Sequence, residues 1–378
     1  MPDATKQCAV GDIPFWKGAQ AAPEIDNHPF TFERDQAGMI RQIQSPAAEA
    51  AIASYASDDY YFQTSPPGSS EWGNHLAKLS LDGVRQTCGD ISGLDVLEVG
   101  GGTLYNAQYY IHEMGAASVS LVDPAVQEKP DNDQITVYRQ YFTAETDLGR
   151  KFPIIISLNV LEHVPDPEDF LRAVRNNLSD DGRVFLKMPE CEDSLRQGDL
   201  GLCVHEHISY FTPNSLDTLM KRSGLERVTE ANYLGALQVV ARKAEADPSA
   251  VCESTKPLLE QFERNFQANL RRLDEFAEQN KGGKAAFIGA SAGLANVLNL
   301  STICQKMDID VFDSDSLKTG RYLPGIKKSI HHISDDLLEG FEVIFISPVN
   351  FHDEIAASLR QRPALKDANI MPVFLQAG

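Results

Sequence analysis

The chain has few cations for its length. Its 378 residues carry 34 Lys and Arg against 54 Asp and Glu, a formal net charge of −20. So acidic a surface repels phosphate backbones, which argues against nucleic acid as a partner. Cysteine is also sparse and unpaired in sequence. The six residues Cys8, Cys88, Cys191, Cys203, Cys252 and Cys304 form no CxxC pair, so neither a zinc ribbon nor a thioredoxin-type dithiol is available. No apolar run approaches the roughly 18–20 residues that a membrane helix needs, and the start Met-Pro-Asp-Ala-Thr-Lys lacks a basic, apolar leader. A reduced, cytoplasmic protein without a membrane partner is expected. Its oligomeric state cannot be read.

What is present is an alternation of short apolar strands and helices from Leu94 onward. Asp95–Val99, Ser118–Val122, Ile135–Tyr138, Ile154–Leu158 and Gly182–Lys187 read as strands, with helices between them at Tyr105–Met114 and Pro167–Leu178. Such spacing predicts an α/β fold with a parallel sheet covered on both faces. After the helical stretch 254–281 the alternation restarts at Ala285–Ile288, Asp308–Asp313 and Val343–Ser347, which predicts a second, smaller Rossmann-like unit. Three regions are therefore expected: an N-terminal arm and helical substrate-facing segment over 1–85, a cofactor-binding domain over 86–244, and a Rossmann-like domain over 245–378. Residues 1 to about 45 show little periodicity and read as an irregular arm.

Glu98-Val-Gly-Gly-Gly-Thr-Leu104 lies between a strand and a helix, where glycine lets a ligand approach the backbone. The third glycine of a dinucleotide fingerprint would stand at 105, and here it is Tyr105. Asp123, at the end of the next strand, can accept ribose hydroxyls. Glu98, Gly100, Gly101, Gly102 and Asp123 thus suit a nucleoside that needs a ribose clamp and no diphosphate cradle, as S-adenosylmethionine does. Two further stretches bear on chemistry: Leu158-Asn-Val-Leu-Glu-His-Val-Pro165, and His205-Glu-His-Ile-Ser-Tyr-Phe211. In the second, two histidines bracket a carboxylate. His-x-His on an extended segment needs further ligands and no Cys/His cluster sits nearby in sequence, so no metal centre is expected. A general base is the better reading, with Glu206 accepting a hydrogen bond from a histidine and raising its basicity.

These stretches carry a resemblance. Residues 98–104 and 158–165 resemble motif I and the strand-four motif of class I S-adenosylmethionine-dependent methyltransferases. That likeness implies cofactor contacts from Asn159 and Leu161. The His205–Phe211 run, the segment Gly68-Ser-Ser-Glu-Trp-Gly-Asn-His75 and the stretch Lys318-Thr-Gly-Arg-Tyr-Leu-Pro-Gly325 resemble the deoxysugar C-methyltransferase family of the tetronitrose C-3 type. The resemblance implies C-methylation of a small-molecule partner, a nucleotide-linked keto sugar, through an enolate. It implies His207 as general base with Glu206 orienting it, and His163 near the reacting centre. Tyr60 or Tyr61 would stand as the upstream tyrosine, with His75, His205 and Tyr210 facing the substrate. The second Rossmann-like unit would complete the substrate cleft rather than bind a second cofactor, although Gly289-Ala-Ser-Ala-Gly293 is permissive for phosphate. The chain departs from that family in lacking its cysteine-rich zinc module, in Val204 where a tyrosine is usual, and in Pro66-Pro67. An O- or N-methyltransferase and a nucleotide-dependent oxidoreductase are the competing readings.

Overall fold

A computed structural model describes residues 6–54, 71–233 and 235–374. These divide into two compact units, and the division differs from the linear partition expected. One unit gathers described residues of 34–191 and 206–255; the other gathers 6–33, 192–205 and 256–374. The short segment 192–205 and the N-terminal residues therefore group with the C-terminal third of the chain, a grouping that local periodicity does not reveal.

The first unit is built on a seven-stranded sheet in the order Leu225–Tyr233, Ala236–Lys243, Leu178–Pro189, Phe152–Leu158, Asp95–Val99, Ser118–Val122, Ile135–Tyr138. The last five run parallel, and Ala236–Lys243 is antiparallel to both its neighbours. Strand periodicity explains why the sheet has two hydrophobic faces. Leu97 and Val99 enter one core with Phe170, Val174 and Leu216, while Val96 enters the other with Leu81, Ala107 and Ile111. Helix starts are fixed locally. The Asp166 side chain accepts from Asp169 N–H ahead of Pro167–Asn177, and Thr212 and Ser215 form a capping box ahead of Pro213–Arg222. The strand Ile40–Gln42 pairs with Ser209–Tyr210, which ties residues 206–211 into this unit.

The second unit holds a five-stranded parallel sheet in the order His331–His332, Asp308–Asp313, Lys284–Ile288, Val343–Ile346, Asn369–Pro372. The helix Lys256–Gln279 buries Leu258, Leu259, Phe262, Phe266 and Leu273. The expected irregular arm is a correction: Lys6–Pro14 and Asn27–Arg34 are strands, with Cys8, Val10 and Ile13 buried on the first and Phe30 and Phe32 on the second. Their alternation was interrupted by glycine and proline at positions that strands tolerate.

Candidate active site

The glycine turn follows the strand Asp95–Val99 directly. Gly100 has φ +79°, and a Cβ placed on it would lie 2.2 Å from Val160 Cγ2, so only glycine fits without displacing the neighbouring loop. Glu98 is buried beside the turn. Its Oε1 accepts from Asn106 Nδ2 at 3.0 Å, while Oε2 has no partner among the described residues. Burial pushes this carboxyl up to about 8, against the Asn106 hydrogen bond and with the help of the nearby Asp123 charge. Asp123 is buried too. Its Oδ2 accepts from Gly102 N–H at 2.8 Å and its Oδ1 from Ala125 N–H at 2.6 Å. Burial raises Asp123, and these backbone donors pull it back. Glu128, which the sequence did not single out, accepts from Leu104 N–H at 2.9 Å at the start of the helix Tyr105–His112. It serves a helix end that lacks a local side-chain cap, from 24 residues away, so no local motif announces it.

A second loop begins at Asn159, the one non-glycine residue with positive φ among those described, at 55°. Leu161 points into the core, and Asn159 is exposed. Glu162 follows, 2% exposed, with Oε2 again unpartnered among the described residues. Its backbone carbonyl accepts from Ile208 N–H at 2.7 Å and Ser209 N–H at 3.1 Å, which binds the two histidine-bearing segments together. His163 Nδ1 lies 3.0 Å from the Glu206 carbonyl oxygen, and its ring meets the His207 ring at 4.8 Å between centroids, 75° apart. Burial holds His163 down at about 4. His207 is held well below the ordinary histidine range, by burial first and by His163 second. Both rings are therefore neutral at neutral pH. Glu162 is pushed up to about 8 by burial, with the Lys187 charge opposing the shift.

The expected site residues thus fall into groups. His163 and His207 come together, and the carboxylate beside them is Glu162: its Oε1 lies 3.8 Å from His163 Nε2. Glu206 meets His163 through its backbone carbonyl. Tyr210 donates its hydroxyl hydrogen bond to the His207 carbonyl at 2.9 Å and so braces the loop. His205 belongs to the other unit, 1% exposed, stacked on Phe15 at 5.5 Å and set edge-on to Phe30 and His28. His75 is exposed on the helix Glu71–Thr87. Tyr60 and Tyr61 lie outside the described residues. Lys187 was missed. It stands near the end of the strand Leu178–Pro189, where Nζ donates to Ser80 Oγ at 2.5 Å. A lone lysine ending an apolar run at the active end of a sheet was the available signal. Glu162, His163 and His207 also form a cluster whose potential ligand atoms all lie within 4.8 Å of one another. The expectation of no metal centre weighed only neighbours in sequence, and His163 and His207 come from segments far apart in the chain.

Comparison with known proteins gives this geometry its class. Residues 72–230 match the family described as "Methyltransferase domain". That stretch is a methyltransferase domain. The cofactor expected from the sequence is S-adenosylmethionine. The residues of the turn fit that group: a glycine cradle that a Cβ would fill, a buried Glu98 with one oxygen unused, and a buried Asp123 at the strand end. Among curated relatives, the "C-methyltransferase NovU" of Streptomyces niveus is 28% identical over 184 residues, 46% of this chain and 42% of the relative. A "Ubiquinone biosynthesis O-methyltransferase" of Ruegeria pomeroyi is 25% identical over 159 residues, 38% of this chain and 64% of the relative. The chain thus spans less than two thirds of the length of either. Among solved structures, the N-methyltransferase NodS of Bradyrhizobium japonicum superposes with a TM-score of 0.38 at 13% identity, over 52% of this chain and 99% of that one. Among the described residues no helix of the methyltransferase domain or of the rest is long and apolar enough to cross a membrane.

The second unit contains a turn of the same design. Gly289 has φ +94°, Ala290 N–H donates to Asp313 Oδ2 at 2.7 Å, and Asp315 N–H donates to Asp313 Oδ1 at 2.8 Å. Here, however, Lys318 Nζ also donates to Asp313 Oδ2 and to the Ala290 carbonyl, both at 3.0 Å. This lysine opens the Lys318-Thr-Gly-Arg-Tyr-Leu-Pro-Gly325 stretch.

Proposed function

We propose that the protein transfers a methyl group from S-adenosylmethionine to a carbon next to the ketone of a small sugar, with His207 as the general base. The observation that carries this reading is the neutral His163–His207 pair, set on a loop that touches the glycine turn through Val160. Bound S-adenosylmethionine supplies an electrophilic methyl on a sulfonium. Glu98 and Asp123 would hold its methionine and ribose portions. A carbon acid next to a ketone needs a base that is unprotonated at neutral pH, and burial keeps His207 in that form. The Glu206 carbonyl fixes the His163 ring, which packs edge-on against His207 and limits its rotation. Glu162, kept protonated by burial, and Lys187 both offer positive or donor character for charge that develops on the substrate oxygen. Tyr210 sits on the His207 carbonyl and acts as a positioning group for the base. Tyr60, Tyr61 and His75 would supply substrate contacts, and a nucleotide carrier on the sugar follows from the family resemblance alone.

The name of the Streptomyces niveus relative supports carbon as the acceptor atom, and the names of the ubiquinone-pathway relatives favour oxygen as the second reading. A panel of keto-sugar nucleotides and phenols, incubated with 13C-methyl donor, separates the two by the chemical shift of the new methyl. Solvent deuterium should wash into the carbon beside the ketone with wild-type protein and not with His207→Ala. Methyl appearing on oxygen alone would replace the leading reading with the second.

A further inference from the structure

We infer that Glu162, His163 and His207 form a binding site for a divalent transition metal of zinc type, and that occupancy blocks the base proposed above. Three electron-pair donors converge here from two segments already locked together. Glu162 and His163 come from the loop after Phe152–Leu158, and His207 from the loop before Ser209–Tyr210. Their donor atoms lie within 4.8 Å of one another. A tetrahedral zinc, with ligands at about 2.0–2.1 Å, holds adjacent ligand atoms about 3.3 Å apart. The His163 Nε2 to Glu162 Oε1 distance, 3.8 Å, is too long for a hydrogen bond and half an ångström from what such an ion imposes.

The surroundings are those of a ligand set. The Glu206 carbonyl opposite His163 Nδ1 selects the tautomer that carries its proton on Nδ1 and its lone pair on Nε2, on the Glu162 side. Glu162 Oε2 is buried with no partner among the described residues. Two histidines and one glutamate leave a fourth position for water.

The inhibitory half of this inference rests on His207 being the base; the binding half does not. The test is a titration of the full chain with Co2+, read by visible ligand-field absorption, followed by displacement with Zn2+. One tetrahedral Co2+ per chain is expected, without the intense near-ultraviolet charge-transfer bands that thiolate ligands give. Glu162→Gln and His207→Ala should each weaken binding at least tenfold, and His112→Ala, an exposed histidine elsewhere, should not change it. Two variants are used so that one that fails to fold leaves the other to decide. No ligand-field band, thiolate bands, or a band surviving both substitutions would overturn the site. Saturating Zn2+ should suppress methyl transfer, with recovery on chelation. Full activity with Zn2+ shown to be bound would leave the binding site standing and overturn His207 as the base.

Discussion

The two glycine turns of this chain share a pattern of hydrogen bonds to an aspartate and differ in whether a lysine joins it. In each, a strand runs into glycine with positive φ, and an aspartate at the end of the next strand receives one N–H from the turn and another from the residue two places on. Asp123 has no cationic partner among the described residues, whereas Asp313 holds Lys318, which also reaches the Ala290 carbonyl. In the second unit the chain's own ammonium sits where the turn of the first unit leaves an acceptor available to a ligand. The fold alone does not decide which half binds a nucleoside; on the function proposed above, the occupancy of one carboxylate does.

The comparison can be broken most directly at the aspartates. Asp123→Ala should reduce S-adenosylhomocysteine affinity on the order of 100-fold, the loss of about two charge-assisted hydrogen bonds, while Asp313→Asn changes it less than twofold, as calorimetry would read. Next come the glycines. A Cβ at Gly100 would lie 2.2 Å from Val160 Cγ2, and one at Gly289 would lie 2.6 Å from Pro348. Both alanine variants should lose about 1–3 kcal/mol of stability in urea melts, and only Gly100→Ala should also lose ligand. Lys318→Met should cost about 1–2 kcal/mol, since the lysine is partly exposed and its pair is screened, with ligand affinity untouched. Appearance of a second nucleoside site in that variant would show that Lys318 alone closes the turn.

The smallest effect is on pH dependence. Glu98 ionises near 8 when folded and near 4.5 when unfolded, so from 4.5 upward the unfolded chain releases its proton first and stability falls towards pH 8. Glu98→Gln should flatten that slope and melt higher than wild type at pH 8. An ammonium of the ligand would favour the ionised carboxyl, so wild-type affinity should rise between pH 6.5 and 8 by up to about tenfold per unit, and Glu98→Gln should not follow.

Much of this was legible before the fold. Ser118–Val122, Ile135–Tyr138 and Asp308–Asp313 fall where the sequence placed them, because a buried strand bounded by turns leaves an unambiguous apolar run. The glycine turn and Asp123 were legible for the same reason, being the two ends of consecutive strands. What local pattern could not give was contact at long range. Glu162 as the carboxylate beside the histidines, Glu128 at the helix start and Lys187 against Ser80 depend on partners 24 to 107 residues away. His205 misled because its neighbours in sequence, Glu206 and His207, belong to the other unit. The N-terminal strands were missed because Gly11, Pro14 and Pro29 interrupt a short alternation that becomes clear only from its buried side chains.

The unequal fates of the two turns are tested most directly by calorimetric titration of S-adenosylhomocysteine into the wild type, Asp123→Ala and Asp313→Asn, with folding of each checked by circular dichroism. One equivalent bound per wild-type chain, retained in Asp313→Asn and lost in folded Asp123→Ala, is the expected result. Two equivalents in the wild type, or binding lost with Asp313 and kept without Asp123, would contradict it.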